Sequence, residues 1–277
     1  MTRIALISIM CLGIFSCDDV FSKRIDSPPP GDDPHYTYLL SNQYSYWYSS
    51  AKGAYILDER IYSTYDSLGR LQVRSVYIGD EQHVSEDYEY DRRGNLVSIA
   101  SNYIIEPNQS STVVRVYDSS NRIIRNTYYE YDLTLQSYST WQYEGATMIW
   151  RHYDSDDNLT SELRTYYNDD NLPVRCESVS GSAILSYTLY YYHDNGLSLY
   201  SVSYNSLDEL TSRTDYEYNG LRQLTRKVAS NGDGSLDYDY RYFYDVNGNL
   251  SRSEFTRDTD DPNPDYTTYE YEYVLIK

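Results

Sequence analysis

The phrase Tyr-Asp-x-x-Gly-Asn-Leu occurs in full twice, at residues 90–96 and 244–250. The chain has 277 residues, of which 37 are tyrosine. A turn signal that repeats with aromatic flanks specifies a stack of β-hairpins, because each copy supplies one chain reversal and half of each adjoining strand. Looser copies begin at Tyr65, Tyr117, Tyr131, Tyr153, Tyr167, Tyr192, Tyr204 and Tyr218.

Each position of the phrase has a physical role. Asp or Asn at the second position accepts a hydrogen bond from the main chain two residues on, which closes a type I turn locally. The fifth position requires positive φ, which Gly adopts without steric cost and which Asn and Asp tolerate better than other residues. The phrase therefore predicts hairpin turns with a bulge, whose twist suits antiparallel strands.

The spacing of the copies, about thirteen residues or a small multiple, fits one strand and one turn per unit. Between turns the tyrosines alternate, as at Tyr238, Tyr240, Tyr242 and Tyr244, so they share one face of a strand. We expect them to lie opposite one another as cross-strand aromatic ladders. No sustained helical stripe is present, and almost no helix is expected outside the leader.

The predicted fold is therefore all-β: an extended, twisted antiparallel meander of these hairpins in a single curved sheet, with a spiral as a further form. The architectural alternative is a lumen-forming membrane barrel. Such a barrel needs an apolar outward band, whereas Ser, Thr, Asp, Arg and Tyr populate both strand parities here. The repeat domain is expected to span residues 36–277.

The repeated residues resemble the YD repeats of the RHS family, in which Tyr-Asp is followed after two residues by Gly-Arg or Gly-Asn and then Leu. Gly69-Arg70-Leu71 and Gly94-Asn95-Leu96 match both variants, and the resemblance covers roughly residues 62–273. It implies a continuous β-hairpin spiral, which in long members winds into a shell around a toxic cargo. This chain has too few copies for such a shell, so encapsulation is not carried over. Some members are also linked with sugar binding.

The start of the chain has the features of a secretory leader. Arg3 precedes an apolar run at residues 4–15 that is too short to span a bilayer. Ile14-Phe15-Ser16-Cys17 resembles a bacterial lipobox, which implies cleavage after residue 16 and lipid attachment at Cys17. The alternative is an ordinary thiol after a standard signal peptide.

Residues 17–35 are rich in Ser, Pro and Asp, and the three prolines at 28–30 stiffen them into an extended tether. The chain is thus expected to be anchored in the bacterial envelope through an N-terminal lipid. The outer membrane or cell surface is preferred, and inner-membrane retention is the alternative.

A formal net charge of −19 argues against nucleic acid and anionic lipid surfaces as partners, since binding there requires Lys and Arg to neutralise phosphates. Of the three cysteines, Cys11 lies in the leader and Cys17 at the anchor, so Cys176 is alone in the repeat domain. It is expected to be a small buried residue and not a nucleophile.

One loop has a weak metal-site pattern. Asn231, Asp233 and Asp237 alternate around Gly232 and Gly234 as in the middle of a calcium loop, but the first-ligand and closing positions hold Ala229 and Tyr240. A plain hairpin loop is the better interpretation. No nucleophile elbow, phosphate loop or histidine ligand spacing occurs, so no enzymatic activity and no cofactor are expected.

The sharper hypothesis concerns aromatic residues on a concave sheet face, where sugar rings stack and hydroxyls are hydrogen-bonded. A structural use of the same rings is the alternative, because Tyr buries area while its hydroxyl stays solvated. We expect a non-enzymatic envelope protein that binds glycan or another envelope component. The alternatives are a purely structural, adhesin-like element and an accessory to an RHS-type secreted toxin. The candidate platform residues are Tyr44, Tyr46, Trp47, Tyr48, Trp141, Tyr143 and Trp150.

Overall fold

A computed structural model describes the main chain of residues 37–49, 54–256 and 265–276, and the side chains of residues 41–46, 59–256 and 267–269. The described chain is all-β, and its one helical segment is a single 3₁₀ turn, Pro107–Gln109. The strands are β1 Thr37–Ser49, β2 Ala54–Tyr65, β3 Leu71–Ile78, β4 Glu81–Tyr90, β5 Leu96–Tyr103, β6 Ser111–Tyr117, β7 Ile123–Glu130, β8 Leu135–Glu144, β9 Thr147–Asp154, β10 Leu159–Tyr167, β11 Pro173–Ser180, β12 Ala183–Tyr192, β13 Ser198–Asn205, β14 Leu210–Tyr218, β15 Leu224–Asn231, β16 Leu236–Tyr244, β17 Leu250–Thr256 and β18 Asp265–Ile276.

The repeated phrase forms the turns that the sequence predicts. In the copy after β4, Asp91 Oδ1 accepts hydrogen bonds from the main-chain N–H groups of Arg93 and Asn95, at 2.8 and 2.9 Å. The fifth position, Gly94, has φ of 86°. Equivalent side-chain bonds close the turns that begin at Asp66, Asp118, Asp154, Asn168, Asn205, Asn219 and Asp245.

One copy is misaligned in the sequence prediction. The turn between β7 and β8 begins at Glu130, whose N–H donates to the carbonyl of Thr134, and its positive-φ residue is Leu133. The Tyr131-Asp132 pair therefore lies inside the turn and does not open it. Asp132 instead accepts from Thr134, which stabilises the turn without the expected alignment.

Every strand pairs antiparallel with the next one along the chain, and β1 pairs with both β2 and β18. The 18-stranded sheet therefore closes on itself as a β-barrel. The meander is confirmed, but the open curved sheet and the spiral are wrong. Local turns cannot distinguish these forms, because closure depends on how tilt and register accumulate over all the strands.

The two faces of the sheet differ in chemistry. We call the face that carries Tyr88, Tyr190, Tyr216 and Tyr242, with many Ser and Thr residues, the tyrosine face. The opposite face is called the charged face because its Arg, Asp and Glu side chains pair across neighbouring strands. Examples on that face are Arg226–Asp239, 2.8 Å, and Arg151–Glu162, 2.7 Å.

Exposure identifies the concave face. Mid-strand side chains of the charged face are often exposed, as at Glu89, Arg125, Gln142, Glu217 and Arg241, whereas the tyrosines named above on the tyrosine face are half-buried. Side chains converge on the inside of a closed sheet and spread apart on the outside. The tyrosine face therefore lines the inside of the barrel.

The predicted tyrosine ladders do not form as expected. Tyr190 lies opposite Ser201, Tyr242 opposite Ser253 and Tyr128 opposite Ser137. On the concave face these three rings are thus opposed to small side chains. Directly opposed tyrosines that stack occur on the convex charged face, as Tyr138–Tyr153, Tyr187–Tyr204 and Tyr191–Tyr200.

Four tyrosines of the repeated phrase are bonded to the strand before their own. The hydroxyl of Tyr90 donates to the carbonyl of Leu71, 2.9 Å, so the last ring of β4 is held over the first residue of β3. The same bond recurs as Tyr117–Leu96, Tyr192–Pro173 and Tyr244–Leu224. Tyr143, which lies outside the repeated phrase, bonds to the Ile123 carbonyl in the same way.

In the part of the chain that the structure describes, no helix has the length and apolarity that a membrane crossing requires.

Candidate functional site

A row of polar side chains crosses five strands on the concave face. Direct pairing places Arg115 of β6 opposite Asn126 of β7, Asn126 opposite Ser139 of β8, Ser139 opposite His152 of β9, and His152 opposite Ser161 of β10. Residues opposed in an antiparallel sheet share a face. We call these five residues the polar row.

Aromatic rings border the polar row. Trp141 lies directly opposite Trp150, two residues along β8 and β9 from Ser139 and His152. The Trp150 and His152 rings stack, with centroids 5.8 Å apart and planes at 12°. On the other side, the rings of Tyr128 and His152 pack edge to face, with centroids 6.2 Å apart. Flat rings thus flank hydrogen-bonding groups, a combination that small-molecule sites share.

Two polar atoms of the row are buried without a hydrogen-bond partner: Nε of Arg115 and Oδ1 of Asn126. Asn126 is 9% exposed, and its Nδ2 reaches the Tyr128 hydroxyl at 3.5 Å, the limit for such a bond. Leaving a buried donor or acceptor unpaired costs about 1–3 kcal/mol. The two residues that carry these atoms are directly opposed in the row.

His152 and Ser139 form a bonded pair, His152 Nδ1 to Ser139 Oγ, 2.9 Å. Burial lowers the pKa of His152 below its ordinary 6.5, so the ring is neutral at physiological pH. Ser139 is only 1% exposed, which denies a substrate access to its hydroxyl. The pair therefore orients the His152 ring and does not form a nucleophile with its base.

The structure brings together three of the predicted platform residues. Trp141, Tyr143 and Trp150 all lie on the concave face. Tyr143 is engaged structurally, because its hydroxyl donates to Ile123 and Arg122 lies 4.3 Å from its ring centre. Trp150 is buried, so Trp141, which is half-buried, is the ring best placed to meet a ligand.

The other predicted platform residues lie elsewhere. Tyr46 pairs with Thr268, which in turn pairs with Arg252 of the charged face, so Tyr46 belongs to the convex side. Tyr44 lies two residues from it on the same side. The side chains of Trp47 and Tyr48, like Cys17 and the tether, lie outside the described residues.

The weak metal candidate is a closed hairpin turn. Asp233 Oδ1 accepts from both N–H and hydroxyl of Ser235, at 2.9 and 2.6 Å, and Asn231 Nδ2 donates to the same hydroxyl. The hydrogen bonds from Ser235 lower the pKa of Asp233. Across the described residues, no group of three or more His, Cys, Asp or Glu side chains is arranged to hold a metal ion.

Cys176 is half-buried and free, and its Sγ accepts a weak hydrogen bond from Thr165 Oγ1, 3.7 Å. Burial raises the pKa of its thiol, which keeps it protonated and poorly nucleophilic.

Sequence reasoning missed Arg115 and Asn126, because nothing in the sequence pairs residues from different hairpins. It also did not include the tyrosines of β16 in the platform, although their alternation was visible. On that strand Tyr240 packs against Phe255 of β17, with ring centres 4.6 Å apart.

No protein-family model matches the sequence, and no curated protein matches it. Among solved structures, a porin-like protein from Bacteroides uniformis aligns with 84% of this chain and 98% of its own, at 11% identity and a TM-score of 0.32. A porin-like protein from Bacteroides vulgatus aligns with 84% of this chain and 99% of its own, at 11% identity and a TM-score of 0.34. A Photorhabdus luminescens Tc holotoxin pore structure aligns with 88% of this chain and 16% of its own, at 14% identity and a TM-score of 0.24. Similarities this low assign neither a family nor a function.

Proposed function

We propose that this protein is a non-enzymatic binding protein of the bacterial cell envelope, and that its concave tyrosine face binds glycan. The observation that carries the proposal is the segregation of the two faces. Rings and hydroxyls line the inside, while most paired charges lie outside. Aromatic rings offer stacking surfaces for sugar rings, and Ser, Thr and Tyr hydroxyls can exchange hydrogen bonds with sugar hydroxyls.

The proposed location in the cell envelope is based on the N-terminal leader sequence. Under this proposal Cys17 carries a lipid, residues 17–35 form the tether, and the barrel lies at the outer membrane or cell surface. The outward face supports a barrel in water and not in lipid, because ion pairs such as Arg226–Asp239 occupy it where a lipid-facing barrel needs an apolar band. Labelling with palmitate that is lost on Cys17→Ala would support the anchor, and unchanged labelling would exclude it.

Membership of the YD-repeat family is part of the proposal. It is supported by the turn geometry, in which Asp or Asn at the second position and positive φ at the fifth recur along the described chain.

A glycan array with the purified protein tests the binding function. Trp141→Ala removes a half-buried concave ring and is expected to abolish binding. The matched control is Tyr191→Ala, which removes an exposed convex ring and should leave binding intact. No binding to any glycan, or equal loss in both variants, would contradict the proposal.

A purely structural role is the second candidate, and a specific observation favours it. Four tyrosines of the repeated phrase donate their hydroxyls to main-chain carbonyls of the previous strand, as Tyr244 does to Leu224. If all concave rings have this structural role, no glycan on the array binds, and Trp141→Ala lowers the free energy of unfolding.

A further inference from the structure

The polar row combines three features that a sheet does not need for its own stability. A cation without an ionic partner, a buried acceptor without a donor and a half-buried tryptophan lie on one stretch of the concave face. They define which chemical groups a bound molecule must carry.

Arg115 is the uncompensated cation. It has no ion pair among the described residues, although the protein carries 42 acidic and only 23 basic residues. Arg74 on the same face shows the ordinary arrangement, with Glu86 at 2.9 Å. The Arg115 guanidinium is therefore available to an anionic group from outside the chain.

Asn126 supplies the second requirement. Its Oδ1 is buried and unpaired directly opposite Arg115. A rotation of the two side chains toward the lumen would bring the Arg115 guanidinium and the Asn126 amide to one molecule and remove the cost of both unpaired atoms. The matching groups on that molecule are a carboxylate for the guanidinium and a hydroxyl for the amide oxygen.

A small exposed side chain, Ser161, lies at one end of the row and leaves space beside His152. Trp141 and Tyr128 border the row. The resulting strip is polar along its centre and aromatic along its edges.

Resting on the glycan-binding function proposed above, we infer that the polar row is a subsite for a hexuronic acid residue of an acidic glycan. Arg115 binds the carboxylate, Asn126 accepts from a ring hydroxyl, and Trp141 contacts the face of the sugar ring. The net charge of −19 repels polyanions at long range, so a preference for an acidic sugar has to come from local contacts.

The test compares oligogalacturonate with its fully methyl-esterified form, which keeps the ring and hydroxyls but loses the negative charge. Calorimetry with the full chain should give about tenfold or more tighter binding of the acid, the range that a hydrogen bond to a charged group provides. The preference should weaken as salt is raised.

Arg115→Gln should abolish the preference for the acid, so that acid and ester bind with equal affinity. Asn126→Leu should weaken binding of both. The matched charge control is Arg213→Gln on the convex face, where Arg213 pairs with Asp215, and it should keep the preference. Circular dichroism confirms folding, and if Arg115→Gln does not fold, the acid-to-ester ratio of the unmodified protein decides.

Equal affinity for acid and ester would overturn this inference and leave the glycan-binding function standing, as would a preference that survives Arg115→Gln. Absence of binding to these oligomers and to every glycan on the array would overturn both.

Discussion

The hydroxyl of Tyr244 donates a 2.7 Å hydrogen bond to the carbonyl of Leu224, a residue 20 positions earlier at the start of the preceding strand. Burial raises the pKa of Tyr244 to about 12, so the hydroxyl keeps its proton and remains a donor. The bond joins the last residue of β16 to the first residue of β15, the strand before it. The same bond recurs at four other tyrosines, so it is a repeated contact between neighbouring strands.

Tyr244→Phe should therefore lower the free energy of unfolding by about 1 kcal/mol, since it removes one partly buried hydrogen bond. Urea denaturation measures this. Tyr191→Phe is the control, because Tyr191 is an exposed convex ring stacked on Tyr200 at 4.4 Å, and its change should stay within about 0.5 kcal/mol. Equal effects of the two variants would show that the Tyr244 bond contributes nothing particular.

Gly232 lies against the main chain of β14. A Cβ built on Gly232 would be 2.0 Å from the carbonyl oxygen of Leu210 and 3.3 Å from the Cα of Thr211. Gly232→Ala should destabilise the fold by about 1–3 kcal/mol, because the main chain has to move. Gly220→Ala is the control, since a Cβ there meets nothing within 4 Å. A thermal melt in which the two variants match would contradict the close approach.

The convex ion pairs predict loss of stability in acid. Burial by itself raises the pKa of Glu162, but hydrogen bonds and charge from Arg151 and Arg164 outweigh it and hold the pKa below its ordinary 4.5. A carboxylate with a lowered pKa contributes stability that is present above its ordinary pKa and is lost as the pH falls through the lowered value.

Glu162→Gln should accordingly lose less stability than the unmodified protein between neutral pH and a pH of about 3. Melting temperatures across that range provide the measurement. Asp80→Asn is the control, because Asp80 is fully exposed beside Arg60 and an exposed pair contributes little. A Glu162→Gln curve parallel to that of the unmodified protein would contradict the assignment.

Calcium should not stabilise the protein through the loop at Asn231. Both Asp233 and Asn231 direct their side chains to Ser235 within the turn, so binding a cation there would break these bonds. Melts with calcium and with a chelator should coincide. A melting temperature that rises by more than about 2 °C with calcium, and no longer does so in Asp233→Asn, would contradict this prediction and indicate a metal site.

The turns were predictable because their determinants are local. The bonds of Asp91 and the positive φ of Gly94 need only five consecutive residues. The same locality explains the one error, at Tyr131-Asp132, where a second acidic residue, Glu130, could open a turn two positions earlier. Closure was not predictable, since the contact of β1 with β18 depends on the tilt and register of every strand between them.

The candidate site was predictable only in part. Trp141 and Trp150 were recognisable as aromatic residues near one another in sequence, and in the structure they lie directly opposite each other. Nothing in the sequence indicated that Arg115 and Asn126 lie side by side, because their pairing depends on the register of β6 against β7. A one-residue slip would place one of them on the convex face.

Closure of the sheet is the claim on which the concave face, the polar row and both functional proposals depend. Tyr46 of β1 and Thr268 of β18 are directly opposed, and opposed Cα atoms in antiparallel strands are about 4.5–5.5 Å apart, within the range that a disulfide spans. Mild oxidation of Tyr46→Cys/Thr268→Cys, with Cys176→Ser to remove the free thiol, should give an intramolecular disulfide that peptide mapping locates. Thiols that stay reduced in the folded protein, or that link only between molecules, would show that the first and last strands do not meet.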